Sequence, residues 1–151
     1  VCSSDLTPVL KKRICGNRFE GTNIYKRGEY YYLFASIGTC CNGATSTYQT
    51  VVGRSKNVLG PYLDKTGRDM LYDYCEIIMS GNETWAGPGH NSILIQDDVG
   101  TDWIIYHGYK KKEAENGRYV LMDKLIWSND GWPSVKSNAP SILEVAPYFQ
   151  K

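Results

Sequence analysis

The sequence predicts an all-β protein, and three observations carry the prediction. No stretch shows the three-to-four-residue apolar spacing of an amphipathic helix; short apolar runs alternate with glycine-containing turns instead. The chain holds 12 Tyr and 4 Trp, residue types that suit a pleated, half-buried surface. One layout of turns and strands also occurs twice, so that Gly28-Glu29-Tyr30-Tyr31-Tyr32-Leu33-Phe34 aligns on Gly100-Thr101-Asp102-Trp103-Ile104-Ile105-Tyr106.

In chain order, a basic and irregular lead-in over 11–18 gives way to strands predicted over 22–26 and 30–36, joined by the hairpin signal Arg27-Gly28. The small-residue loop Gly38-Thr39-Cys40-Cys41-Asn42-Gly43 leads to a strand over 47–54. A shorter strand is expected around Tyr62, where Gly60-Pro61-Tyr62 closes the unit. From Thr84 the layout restarts with a turn at Gly87-Pro88-Gly89, a strand over 92–96, a turn over 97–100 and a strand over 102–109. A third strand over 119–127 ends at the turn Asn129-Asp130-Gly131.

Each unit thus carries a polar turn, an inner strand, an aromatic hairpin strand and an outer strand, and such units repeated radially are the signature of propeller blades. The expected architecture is a partial β-propeller of about two four-stranded antiparallel blades, set side by side. Two blades cannot close a ring, so either other subunits supply the partners or the chain is a fragment. The fragment reading is favoured by the opening Val1-Cys2-Ser3-Ser4-Asp5-Leu6, which reads like a sequencing adapter translated in frame. The expected organisation is a lead-in over 1–14 whose first residues are an artefact candidate, two C-terminal blades over 15–133, and an edge strand or linker over 134–151.

The length of 151 residues suits one ordinary domain with a sizeable core. Its 17 basic and 16 acidic residues are spread along the chain, which argues against nucleic acid or an anionic membrane surface as the main partner. No apolar run is long enough to span a bilayer, and the first residues lack the layout of a signal peptide. Five cysteines without a CxxC spacing support neither a zinc site nor a disulfide framework. Adjacent Cys40 and Cys41 are expected not to bridge each other, since that demands a strained peptide. A bridge between Cys15, Cys75 and one of that pair stays open.

Two polar breaks run straight into strands. In Trp85-Ala86-Gly87-Pro88-Gly89-His90-Asn91-Ser92-Ile93 the glycines permit a tight bend and close approach, and the triplet after them brings ring nitrogens, an amide and a hydroxyl. Taken alone, this fits equally a turn whose histidine hydrogen-bonds a buried carbonyl. The second break, Arg18-Phe19-Glu20-Gly21-Thr22-Asn23, carries a carboxylate. In a propeller the starts of the inner strands face one shared channel, so Glu20 and His90 are expected to converge from neighbouring blades. Beside Phe19 and several tyrosines, Glu20 is placed for a raised pKa and general-acid work, against the alternative of a solvated strand-start residue.

The segments Phe19-Glu20-Gly21, Tyr30-Tyr31-Tyr32-Leu33-Phe34, Cys40-Cys41-Asn42-Gly43, Ser46-Thr47-Tyr48, Val52-Gly53-Arg54-Ser55-Lys56, Gly60-Pro61-Tyr62, Gly87-Pro88-Gly89-His90-Asn91-Ser92 and Asp130-Gly131-Trp132-Pro133 together resemble glycoside hydrolase family 43, above all its arabinan endo-1,5-α-L-arabinosidases. The resemblance implies a five-bladed propeller and inverting hydrolysis of α-1,5-linked arabinofuranose by two aspartates and a glutamate acid. Glu20 matches the acid. The aspartates belong to earlier, N-terminal blades that this chain lacks, and Asp64, Asp69, Asp73, Asp97, Asp98, Asp102, Asp123 and Asp130 are poor substitutes in turns or outer strands. By the same resemblance Phe19, Cys40, Cys41, Asn42, Ser46, Thr47 and Tyr48 lie beside the substrate, although packing explains the cysteines as well. His90 matches a residue beside an axial, largely water-ligated calcium ion, the partner is arabinan or an arabino-oligosaccharide, and the location is extracellular or periplasmic. Exo-acting arabinofuranosidases, β-xylosidases of the family, and a propeller that binds glycan without cutting it are the rival readings.

Overall fold

The structure, a computed structural model, describes residues 11–150. The opening residues read as an adapter lie outside that range. The prediction of antiparallel β-structure holds. Strands β1 (Glu20–Arg27), β2 (Tyr30–Ile37), β3 (Gln49–Ser55) and β4 (Glu76–Met79) form one four-stranded antiparallel sheet in that order. The expected hairpin is present, with Arg27 paired to Tyr30 around Gly28 and Glu29.

The second sheet is built on β7 (Asp102–Lys110). On one side β7 pairs with β5 (Trp85–Gly89) near one end and β6 (Ile95–Gln96) near the other, so these two short strands are halves of one interrupted position. On its other side lies β8 (Arg118–Lys124), followed after Leu125 by β9 (Ile126–Trp127), which pairs with β10 (Pro133–Ser134).

Four expectations change here. Gly87-Pro88-Gly89 is strand rather than turn: β5 is an edge strand with a register shift between Ala86 and Gly89, the setting in which proline tolerates a ladder, and Gly87 sits at φ +60°. The strand expected over 92–96 shrinks to Ile95–Gln96, because His90, at φ +51°, turns the chain out of the ladder. The strand expected near Tyr62 is reduced to isolated bridges from Leu63 to Arg54 and Asp69, while β4 supplies the fourth position. Cys40 and Cys41 are joined by a disulfide, against expectation. Their loop is bent at Gly38 and Gly43, both at positive φ, which supplies the turns that the pair itself does not.

Strand alternation sets the packing. On β2 and β3, Tyr32, Phe34 and Val52 face the second sheet and pack with Leu94, Ile104, Tyr106, Leu125 and Trp132 in one core. Leu33, Ala35, Ile37 and Val51 point the other way and are covered by Phe19, Tyr62 and Met70 from the flanking segments. Each of the large side chains so buried is worth about 1.5–3 kcal/mol. The residues after Ser134 return to the second sheet: Asp98 N donates to Tyr148 O, and Gln150 N donates to the Asp98 carboxylate.

Between the sheets lies one buried carboxylate, Asp102, only 2% exposed. It accepts from Tyr25 Oη at 2.7 Å, Arg27 Nε at 3.3 Å, Gln96 Nε2 at 3.0 Å and Trp127 Nε1 at 2.8 Å. The donors come from β1, β6 and β9, so this single side chain ties the edge strand β1 of the first sheet to the second sheet and to the β9–β10 pair.

Candidate active site

Three strands meet at the corner opposite that latch. Glu20 opens β1 and pairs with Ser36 at the end of β2. Ser36 Oγ in turn accepts the backbone N–H of His90 at 2.7 Å. A methyl group on Gly21 would stand 2.9 Å from the His90 ring, so Gly21, at φ +56°, is what lets the histidine lie directly beside the glutamate's own strand. Glu20 and His90 therefore occupy one corner.

The Glu20 carboxyl is exposed and accepts a hydrogen bond from Tyr48 Oη at 2.9 Å. Tyr48 itself is buried. Burial, and then the hydrogen bond to Glu20, push its phenol up to about 12, so it remains a donor at any working pH. Its ring lies against Gly89, where an added methyl would come within 2.5 Å of Cδ1. The ring also stacks on His107 with centroids 5.9 Å apart. His107 continues the stack to His90 at 6.1 Å. Burial first, then Arg118 and His90, hold His107 below the usual histidine range.

The loop that delivers Tyr48 is closed on itself. Thr39 N donates to Thr47 Oγ1, Tyr48 N to Thr39 O, Asn42 N to Ser46 Oγ, and Ser46 Oγ to Cys40 O. Ser46 and Thr47 thus spend their hydroxyls on the loop, and the surface they leave is made by Cys41 and Asn42, which are exposed, and by half-buried Cys40. Phe19 is packed beneath the first sheet with Leu33 and Met70, so its place is in the core rather than in the cleft.

The aspartates are engaged elsewhere. Asp64 accepts from Thr66 and Arg68, Asp97 from Thr101, Trp103 and Tyr148, and Asp123 from Tyr106 and Ser141. Asp69 caps a short turn through Leu71 N, and Asp130 binds Ser128. Asp102 holds the sheets together. None of these carboxylates bonds to Glu20 or Tyr48.

As a metal site the corner is poor. Among the described residues no group of three or more His, Cys, Asp and Glu side chains is placed to hold an ion. Calcium takes roughly six to eight oxygen ligands, and His90 offers one nitrogen. These residues do not make a calcium centre by themselves, and no chemical step is assigned to one.

His107 and Ser36 complete the corner and were not singled out by sequence, whereas Gly21 and Gly89 belong to the two glycine-containing breaks read there. His107 was visible as a polar residue directly after the apolar run Trp103-Ile104-Ile105-Tyr106, but its neighbours come from segments far away in the chain.

An exposed carboxyl held by a phenol on a β-scaffold is a group that can protonate a leaving group. The model for glycosyl hydrolases family 43 matches residues 7–133. An extracellular exo-α-(1→5)-L-arabinofuranosidase from Cellvibrio japonicus is 45% identical over 118 residues, 78% of this chain and 33% of that protein. An extracellular endo-α-(1→5)-L-arabinanase from Bacillus subtilis is 41% identical over 120 residues, 79% of this chain and 35% of that protein. Among solved structures, an endo-arabinanase from Bacillus licheniformis superposes with a TM-score of 0.76 at 33% identity, covering 87% of this chain and 46% of that one. An α-L-arabinanase from Cellvibrio cellulosa in complex with arabinohexaose gives 0.74 at 44% identity, covering 80% and 37%.

The chain belongs to glycosyl hydrolases family 43. It spans about a third of the length of these curated relatives.

Proposed function

We propose that this chain is the acid-bearing part of an inverting arabinan hydrolase. The observation that carries the reading is Glu20, exposed at the corner and held by Tyr48. Its two sheets are neighbouring blades of a five-bladed propeller, and the part of the protein that is not in this chain supplies the other blades with the base and the orienting aspartate. Inversion needs a second carboxyl about 6.5–9.5 Å from the acid, with water between them. The chain alone is therefore inactive. The substrate is α-1,5-linked arabinofuranose, in agreement with the names of the relatives, and the extracellular relatives support secretion.

Both endo and exo action occur among the relatives, and the high identity to the exo-acting enzyme keeps chain-end attack as the second reading. The test is the first-formed product of the complete protein, followed by proton NMR before mutarotation. The β-anomer is expected; an α-anomer means retention and sinks the proposed division of labour.

His90 is this chain's contribution to an axial calcium ion whose oxygen ligands are water and groups outside the chain. A chelator is expected to lower the melting temperature of the complete protein, and His90→Ala to remove that sensitivity while the fold survives. A parent protein indifferent to chelation removes the ion from the reading.

A further inference from the structure

We infer that His107 is a positioning residue, the middle ring of a Tyr48–His107–His90 stack that keeps the Tyr48 phenol on Glu20. This rests on the reading of Glu20 as general acid. The three rings arise from three places: the loop before β3, the centre of β7, and the break between β5 and β6. Centroid separations of 5.9 and 6.1 Å with interplanar angles of 20° and 29° are within the range of attractive offset stacking. In the β5–β7 ladder His107 is paired with Gly89, the residue whose missing side chain makes room for the Tyr48 ring. Tyr48 thus rests on a floor made by Gly89 and His107.

The two nitrogens of His107 have different surroundings. Nε2 lies 3.4 Å from Arg118 Nη1. A guanidinium only donates, so in this contact Nε2 is the acceptor, and the other ring nitrogen is Nδ1. That Nδ1 is buried and has no partner among the described residues. An orphaned buried polar atom is destabilising, and an apolar ring would avoid it. A position chosen for packing alone would carry phenylalanine or leucine. The imidazole instead gives a flat, small ring whose edge meets Arg118, a contact that favours the orientation stacked on Tyr48.

Without that ring the phenol loses its backing and Glu20 its fixed orientation. Misplacement by about 1 Å can cost on the order of 100-fold in rate. The loss should fall on substrates that need the proton. The experiment uses the complete protein with His107→Leu, which keeps the volume, and His107→Phe, which keeps the ring, each alone and with Tyr48→Phe. Leucine is expected to lower kcat on arabinan by about tenfold with little change in KM, and to spare a dinitrophenyl arabino-oligosaccharide. Phenylalanine, which keeps a ring but loses the Arg118 contact, should restore only part of the rate. In the Tyr48→Phe background His107→Leu should cost nothing further, since both act through one hydrogen bond.

Equal losses on both substrates, or losses that multiply in the double variant, overturn the inference. Glu20→Gln run alongside separates the two claims. If it discriminates between the substrates and His107→Leu does not, only the role of His107 fails. If Glu20→Gln does not discriminate, the acid reading fails and this inference falls with it.

Discussion

Glu20→Gln is expected to lower arabinan hydrolysis by the complete protein by roughly 10²–10⁴-fold, the usual worth of general acid catalysis. The substitution is clean for a structural reason. Tyr48 donates to the Glu20 side chain, and the amide oxygen of glutamine accepts that bond as the carboxylate does. Position is kept and the proton is lost. An arabinan leaving group is a poorly acidic sugar hydroxyl that must be protonated as it departs, whereas a dinitrophenolate leaves unaided. Steady-state rates on the two substrates should therefore diverge, with a much smaller loss on the aryl compound. Equal losses would assign Glu20 to binding or support, and no loss on either would return it to the solvated surface.

The largest effect on stability is expected at Asp102. Asp102→Ala leaves Trp127 Nε1, Tyr25 Oη and Gln96 Nε2 without their acceptor, and the half-exposed Arg27 without its partner, and should destabilise the complete protein by about 2–4 kcal/mol in urea unfolding. Asp102→Asn should cost far less, about 1 kcal/mol. Asparagine can direct its oxygen at Trp127 and Arg27, and its amide at Tyr25 and Gln96, both of which can reverse and accept. Equal costs for the two variants would mean that the burial, not the hydrogen bonding, is what counts at this position.

Much of the first sheet was legible in the sequence because its signals are local. The run over 30–36 against the observed Tyr30–Ile37, and the turn at Gly28, follow from aromatic content and hairpin chemistry. The second sheet was harder for a physical reason. Trp85-Ala86-Gly87-Pro88-Gly89 has the composition of a turn, and only its pairing with β7 makes it a strand. β4 is four residues long and carries no alternation strong enough to stand out. At the site, Glu20, Tyr48 and His90 were reached through the polar breaks and the family resemblance. His107 was not, since nothing in Ile105-Tyr106-His107-Gly108 records that Tyr48 and His90 will lie on either side of it. Phe19 erred in the other direction: it precedes β1 and packs with Leu33 and Met70 beneath the first sheet, which its place next to Glu20 in the sequence does not record.

One strand carries both the acid and the partners of the latch. Among the described residues β1 has a single ladder neighbour, β2, and its other side-chain ties run to Tyr48, to Asp102 and to the Asn91 carbonyl. As an edge strand held by one ladder, β1 is the segment whose amides should exchange with solvent ahead of those of β2 and β3. Each such opening swings Glu20 off the corner. The fraction of molecules competent to donate a proton is then set by the closing equilibrium of an edge strand, and a change at Tyr25 or Arg27, at the far end of β1, would register as altered turnover without touching sugar.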